Sequence, residues 1–173
     1  VALKLRPEVR VITESRRGKG TALTTGFAAA TGDIIVMLDA DASMDPREIY
    51  GYVGLLMAGA DFVKGSRFIQ GGGTSDMTIE RKIANYGFVW AVRMLYGSTF
   101  SDLCYGYIAF WKHVLPSLDL DADGFEIETL MNIRALQAKL KVAELPSFEH
   151  LRMYGKSNLR AVPDGLRVLR TIF

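Results

Sequence analysis

A chain of 173 residues, 49% of them hydrophobic, is long enough for one domain with a substantial core. Its 21 lysine and arginine residues stand against 19 aspartate and glutamate residues, an excess too small to indicate a nucleic-acid partner. The single cysteine, Cys104, excludes an internal disulfide framework, and no stretch approaches the roughly 18 uninterrupted apolar residues of a membrane span, so we expect a soluble or peripheral protein of the cytoplasm.

The hydrophobic pattern predicts strands and helices that alternate along the chain. The predicted strands cover residues 9–13, 34–38, 61–64, 105–111 and 142–148. The predicted helices cover residues 19–30, 46–58, 79–96 and 124–138. Such alternation is typical of an α/β fold with a mostly parallel sheet flanked by helices. Residues 1–8 supply no convincing opening strand, so we expect a single domain over residues 1–173 that lacks its first N-terminal strand.

Two carboxylates, Asp39 and Asp41, follow the predicted strand 34–38 directly. Residues two apart in an extended segment point to the same side, and ligands of an open α/β sheet bind at the carboxyl ends of its strands. Two hard oxygen donors at that position suit Mg²⁺ or Mn²⁺ carrying the diphosphate of a nucleotide. The alternative is that both acids only begin a polar loop, in which Asp45 and Pro46 cap the next helix.

A basic, glycine-rich loop, Arg16-Arg17-Gly18-Lys19-Gly20, precedes the predicted helix 19–30. Glycines permit close approach of the backbone, and a helix N-terminus beside a lysine favours an anion. The loop therefore indicates a phosphate-binding role for Arg17 and Lys19. Its spacing is not that of a Walker loop, and the alternative is a solvated basic loop.

Further motifs accompany these two in the order and spacing of one family. They are Thr21-Ala22-Leu23, Gly26-Phe27, Ala30-Thr31-Gly32-Asp33, Gly65-Ser66-Arg67-Phe68, Asn85, Asp102-Leu103-Cys104-Tyr105-Gly106-Tyr107, Gly124-Phe125-Glu126-Ile127-Glu128 and Gly155-Lys156-Ser157. Over nearly its whole length the chain resembles the inverting family 2 glycosyltransferases of GT-A fold, particularly their dolichol-phosphate mannosyltransferase-like branch. The resemblance implies transfer of a sugar from a nucleoside-diphosphate sugar to a polyprenyl phosphate or a cell-envelope glycan, at the inner face of the cell membrane.

The same resemblance implies a metal site and a donor site. Asp39 and Asp41 match the residues that hold Mg²⁺ or Mn²⁺ and the donor diphosphate, with Asp41 as the more direct ligand. Ser43 stands where close mannosyltransferase relatives carry glutamine, so a serine oxygen or a water would supply the third ligand. Arg67 matches a basic residue that faces the diphosphate or the acceptor phosphate, the alternative being a surface arginine after a strand.

The predicted helix 79–96 matches the acceptor side of the family. Arg81 and Asn85 are four residues apart and so share a face, and a guanidinium fork suits a lipid phosphate. We expect the apolar residues of this helix to lie in the core rather than on a membrane-facing surface. They are Ile83, Phe88, Val89, Trp90, Val92, Met94 and Leu95.

Glu126 and Glu128 lie where many family members carry a catalytic base. A hydroxyl acceptor needs such a base, whereas a phosphate acceptor is already anionic and does not. The alternative is that both glutamates only complement the dipole of the helix that begins there. Asp102 also matches the family, with support of its loop as the competing interpretation.

The C-terminal part of the chain is basic. In the family match, His150, Arg152 and Lys156 belong to a loop that closes over the diphosphate. Beyond it an apolar stripe with helical spacing is flanked by three arginines, and this segment either lies on an anionic membrane surface or packs on the domain. The stripe is Val162, Leu166, Leu169 and Phe173, and the arginines are Arg160, Arg167 and Arg170.

Two other functions remain open from the sequence. In the family that the chain resembles, the opening strand carries contacts to the nucleotide base, so a chain without that strand has an incomplete base pocket, which favours a non-catalytic nucleotide-sugar-binding module. A nucleotidyltransferase of related fold also pairs a basic glycine-rich loop with carboxylates. Free nucleoside diphosphate, pyrophosphate or no product at all would separate glycosyl transfer, nucleotidyl transfer and binding alone.

Overall fold

A computed structural model describes residues 8–153 and 159–173. The strands are β1 (Ile34–Met37), β2 (Phe62–Ser66), β3 (Gly73–Thr74), β4 (Ile108–Trp111), β5 (Val142–Pro146) and β6 (Phe148–Glu149). The helices are α1 (Lys19–Ala29), α2 (Ile49–Met57), α3 (Ile79–Tyr96), α4 (Leu115–Leu118), α5 (Ile127–Gln137) and α6 (Ala161–Ile172), with 3₁₀ turns at Pro46–Glu48 and Lys112–Val114. The predicted α/β class is confirmed.

The main sheet is mixed and has the strand order β1-β4-β2-β5. β4 is antiparallel to both β1 and β2, and β2 is parallel to β5. Three strands therefore run in one direction and β4 runs in the other. The carboxyl ends of β1, β2 and β5 therefore lie at the same edge of the sheet as the amino end of β4. The segments that follow β1, β2 and β5 and the segment that precedes β4 lie close together at this edge.

Apolar helices cover both faces of the sheet. Alternate residues of β4 serve different faces: Ile108 and Phe110 pack in a cluster with α1 and α5, whereas Ala109 packs in a cluster with α2. A third buried cluster joins α3, α5 and α6. This arrangement anchors α3 and α6 beside the sheet edge at which the strands end.

Several predicted boundaries were wrong. Residues 9–13 form no strand, and Val9, Val11 and Ile12 are exposed because no neighbouring strand pairs with them in the described chain. The predicted strand 142–148 is interrupted at Ser147, after which β6 pairs with β3 in a separate two-stranded sheet. The predicted helix 46–58 begins with a 3₁₀ turn, and Asp45 caps it by accepting a hydrogen bond from the Arg47 N–H at 2.9 Å.

Helix α3 has the predicted bounds, because Thr78 caps its start and Gly97 adopts a left-handed conformation at its end. Val89 and Val92 are buried as predicted, whereas the apolar side chains of the opposite face are not. Ile83, Trp90 and Met94 are 66%, 66% and 70% exposed, and Leu95 is also exposed, so the core prediction was wrong for these four. No helix within residues 8–153 and 159–173 combines the length and the apolar character needed to cross a membrane.

Candidate functional site

A cavity of about 1160 Å³ lies at the edge where the strands end. Most of the predicted site residues line it, although they are spread over most of the sequence. They are Arg17, Lys19, Asp39, Asp41, Arg67, Arg81, Asn85, Glu128 and Arg152. Ser43 and Glu126 are not among the lining residues, and Lys156 lies outside the described residues.

Lys19 bridges two carboxylates inside the cavity. Its Nζ lies 2.8 Å from Asp39 Oδ1 and 2.5 Å from Glu128 Oε1. Burial lowers the pKa of Lys19, but Glu128 and Asp39 outweigh it and leave the pKa raised. Lys19 is therefore a fixed positive charge between the strand-end acid and the first turn of α5.

The glycines of the basic loop pack against protein backbone. A Cβ built on Gly18 or Gly20 would lie 2.1 Å from the carbonyl oxygen of Asp123 or 1.9 Å from that of Ala122. The Gly20 N–H donates to Asp123 O at 2.8 Å, and Gly18 has a φ of 146°. Close approach to the segment before α5, rather than to a phosphate, requires these glycines, and it carries Lys19 to Glu128.

Gly106, to which the sequence assigned no separate role, lies directly beneath the Lys19 bridge. A Cβ at this position would be 2.8 Å from Glu128 Oε1 and 3.2 Å from Lys19 Nζ. A side chain here would displace the bridge. The signal in the sequence is a lone glycine just before a strand, which becomes informative only when its neighbours in space are known.

Asp41 is held by its own loop and faces a cation. The Ser43 N–H donates to Asp41 Oδ1 at 3.0 Å, and Arg152 Nη1 lies 3.5 Å from Asp41 Oδ2. Burial raises the pKa of Asp41, but the Ser43 hydrogen bonds and Arg152 lower it by more, so the net shift is downward. Ser43 itself is 3% exposed, and its carbonyl accepts a hydrogen bond from the His150 N–H at 2.8 Å. The contacts of Ser43 therefore hold this loop together.

Arg67 is buried and largely occupied by protein carboxylates. Its Nε and Nη2 donate to Asp102 Oδ2 and Oδ1 at 2.7 Å and 2.9 Å, and its Nη1 donates to Glu149 Oε2 at 3.0 Å. Arg67 is 6% exposed and Asp102 is fully buried, so the surface-arginine alternative was wrong. For Asp102, burial raises the pKa and Arg67 lowers it by more, which leaves the pKa below its ordinary value. This bidentate tie supports the loop-supporting interpretation of Asp102.

Helix α3 presents Arg81 and Asn85 to the cavity. Asn85 is 1% exposed, and its Oδ1 accepts from the backbone N–H groups of Leu103 and Cys104 at 3.1 Å and 3.2 Å. Asn85 Nδ2 is buried with no hydrogen-bond partner in the protein. Asn85 thus fixes the 103–104 segment to α3 and keeps one donor unused beside the cavity.

The two glutamates at the start of α5 have different surroundings. Glu128 lines the cavity and pairs with Lys19. Glu126 Oε1 accepts from the Gly124 N–H at 3.0 Å, and Glu126 is the residue that precedes the first turn of α5. The helix-start interpretation therefore suits Glu126, whereas Glu128 is the glutamate available to a ligand.

The segment that follows β6, residues 150–153, lies along one side of the cavity and contributes Arg152 to its lining. Arg152 Nε and Nη2 donate to Asp76 Oδ2 at 3.1 Å and 2.7 Å, and the Met153 N–H donates to Asp41 O at 3.0 Å. His150 does not line the cavity. No sequence pattern identifies Asp76, since its contact with Arg152 joins residues 76 positions apart in the chain.

Comparisons with known proteins point to one family. The model of "Glycosyl transferase family 2" matches residues 1–115. The dolichol-phosphate mannosyltransferase of Pyrococcus furiosus is 30% identical over 155 residues, which cover 88% of this chain and 44% of that protein. The polyprenol monophosphomannose synthase of Mycolicibacterium smegmatis is 30% identical over 138 residues, covering 76% and 52%. The chain spans about half the length of these curated relatives.

A solved structure has a similar fold. The glucosyl-3-phosphoglycerate synthase of Mycobacterium tuberculosis, crystallised with Mn²⁺ and UDP-glucose, matches with a TM-score of 0.65 and 26% identity. The match covers 98% of this chain and 58% of that one.

Proposed function

The chain belongs to glycosyl transferase family 2, and from this premise we propose that it transfers a sugar, with inversion, from a nucleoside-diphosphate sugar to a polyprenyl phosphate. Family membership and the structural match also confirm the predicted GT-A fold. The observation that carries the proposal is the convergence of the acids Asp39 and Asp41 with the cations Lys19, Arg17 and Arg152 around one cavity.

A divalent cation fits this donor set. Asp39 and Asp41 offer hard oxygen ligands on the cavity wall, and the Asp39 side chain is 38% exposed. The described residues contain no cluster of three or more acidic, histidine or cysteine side chains placed to enclose a metal, so diphosphate oxygens and waters would complete the shell, as Mg²⁺ and Mn²⁺ tolerate. When bound, the cation would neutralise charge on the leaving diphosphate. Arg17 and Arg152 would add positive charge to the same group.

The acceptor side of the cavity combines a cation with apolar walls. Arg81 supplies a guanidinium, and the apolar residues Ala84 and Phe88 of α3 and Val168 of α6 also line the cavity. A phosphate joined to a hydrocarbon chain matches this chemistry, and the names of both curated relatives refer to polyprenol or dolichol phosphates. An acceptor phosphate oxygen is anionic and attacks the anomeric carbon without a general base.

A hydroxyl acceptor on a glycan is the second candidate, and Glu128 is the observation that favours it. Glu128 is 6% exposed yet lines the cavity, as a general base would. However, Glu128 Oε1 is already occupied by Lys19 Nζ at 2.5 Å, and a phosphate acceptor needs no base, which is why the phosphate acceptor is preferred.

The first experiment is a thermal-shift panel of UDP, GDP, CDP and dTDP sugars with Mn²⁺ or Mg²⁺. We expect one nucleotide to raise the unfolding midpoint only when the metal is present. Incubation with that donor and a polyprenyl phosphate should then release nucleoside diphosphate. Release of pyrophosphate would instead indicate nucleotidyl transfer, and binding without turnover would indicate a binding module.

We also propose a peripheral contact with the inner face of the cell membrane. The outward stripe Val162, Leu166, Leu169 and Phe173 of the C-terminal segment is exposed, as are Arg160, Arg167 and Arg170. Such a basic, apolar surface suits anionic lipid headgroups. The protein should sediment with vesicles containing phosphatidylglycerol and less with pure phosphatidylcholine vesicles, and equal sedimentation would contradict the electrostatic contact.

A further inference from the structure

The Asp76 carboxylate binds one edge of the Arg152 guanidinium. Both Nε and Nη2 of Arg152 donate to Asp76 Oδ2, at 3.1 Å and 2.7 Å. The remaining nitrogen, Nη1, lies 3.5 Å from Asp41 Oδ2, which is beyond a well-formed hydrogen bond. Asp76 and Asp41 both line the cavity, so Arg152 stands between them with Nη1 turned towards the strand-end acids.

Asp76 is itself positioned by contacts that do not involve Arg152. The Asp76 N–H donates to Thr74 Oγ1 at 3.3 Å, and the Thr74 hydroxyl donates to Glu149 Oε2 at 2.6 Å. The Ser75 N–H donates to Glu149 O at 2.8 Å, which continues the pairing of β3 with β6. The backbone at Asp76 is thus held in place independently of Arg152, and the long, flexible side chain of Arg152 is the part that the Asp76 carboxylate orders.

We propose that Asp76 is a positioning residue that presents Nη1 of Arg152 to the diphosphate of the donor. The inference rests on the proposed donor site at Asp39 and Asp41. Ordering a free arginine side chain opposes binding, and Asp76 removes that cost before the ligand arrives. Without Asp76, the nearest carboxylate to the Arg152 guanidinium is that of Asp41, where the guanidinium would compete with a bound metal.

The test is the binding of inorganic pyrophosphate with Mn²⁺, measured by calorimetry on the whole chain. Asp76→Asn keeps the size of the side chain and removes its charge. We expect its affinity for pyrophosphate to fall about tenfold, the loss typical of one charge-assisted hydrogen bond. Coulomb's law alone predicts the opposite sign, because removing a negative charge from the cavity should strengthen anion binding.

Glu80→Gln is the matched control. Glu80 also lines the cavity, whereas the hydrogen bonds and ion pairs of the Arg152 guanidinium go to Asp76 and Asp41. Its removal should leave pyrophosphate affinity unchanged or slightly higher. The thermal unfolding midpoint of each variant, measured without ligand, shows whether the variant folds as the wild type does.

A double-mutant cycle tests whether Asp76 acts through Arg152. In the Arg152→Gln background, Asp76→Asn should cause no further loss. Arg152→Lys gives a second route that leaves Asp76 intact: it keeps the charge, but one ammonium cannot hold Asp76 by two nitrogens, so affinity should again fall severalfold.

Unchanged or tighter binding by Asp76→Asn would overturn the inference, as would an equal loss in the Arg152→Gln background. Wild-type protein that fails to bind pyrophosphate with Mn²⁺ would overturn the donor site as well. Wild-type binding with an unaffected Asp76→Asn variant removes only the role of Asp76. The two failures are therefore distinguishable.

Discussion

Two charged clusters meet the same cavity but differ in burial. The buried tie joins Arg67 to Asp102, whose side chains are 4% and 0% exposed. The open acid pair, Asp39 and Asp41, has side chains that are 38% and 22% exposed. Its positively charged partners are Lys19 for Asp39 and Arg152 for Asp41. A buried ion that loses its partner has no water to replace it, whereas a half-exposed acid can exchange a lysine or arginine for a ligand. The first cluster is therefore suited to supporting the site, and the second is the part that would bind the ligand in the proposed function.

Asp41→Asn should have the largest effect on binding and a small effect on stability. Without the charge of the more direct metal ligand, metal-dependent stabilisation by the nucleoside-diphosphate sugar should disappear. The free energy of unfolding should change by about 1 kcal/mol or less, because the side chain is partly solvated. A thermal-shift titration with Mn²⁺ checks the first expectation and urea unfolding the second. Retained metal-dependent binding would contradict the assignment of Asp41.

Asp102→Asn should show the reverse pattern. Arg67 would lose its bidentate partner inside the protein, and the free energy of unfolding should fall by about 3 kcal/mol, the low end of the range for broken buried pairs. The low end applies because Glu149 still accepts from Arg67 Nη1 at 3.0 Å. Urea unfolding monitored by circular dichroism measures the change. A loss as small as that of Asp39→Asn, the exposed control, would contradict the division into two clusters.

The pH dependence of stability should sharpen the same contrast. Arg67 leaves the pKa of Asp102 below its ordinary value despite burial, so the folded state binds this proton more weakly than the unfolded chain. The stability that Asp102 contributes is complete above its unfolded pKa of about 3.9 and is lost as the pH falls towards the folded pKa. The difference between the wild type and Asp102→Asn should accordingly narrow in the acid window that begins at about pH 4 and extends downwards. A constant difference over that window would contradict the role of the ionised pair.

How far the sequence predicts these clusters depends on the distance along the chain between partners. Asp39 and Asp41 were identifiable because a short apolar run ending in acids predicts a strand end, and the positions of sheet edges follow from topology. The partners of Arg67 and Arg152 were not, since Asp102 and Asp76 lie 35 and 76 residues away in the chain and only the folded arrangement joins them. The predicted strand 9–13 failed for the related reason that a strand needs a neighbour, which its own pattern cannot supply.

Glu128→Gln is expected to have the smallest effect, and it decides between the two acceptors. Lys19 would lose one partner but keep Asp39 at 2.8 Å, so the donor site should persist. With a polyprenyl phosphate acceptor, kcat should fall less than about tenfold, because an anionic nucleophile needs no base. A loss of about 10²-fold or more, with donor affinity unchanged, would indicate a hydroxyl acceptor whose proton Glu128 removes. Glu126→Gln is the control, since Glu126 is not among the residues that line the cavity and should leave kcat near the wild-type value in either case.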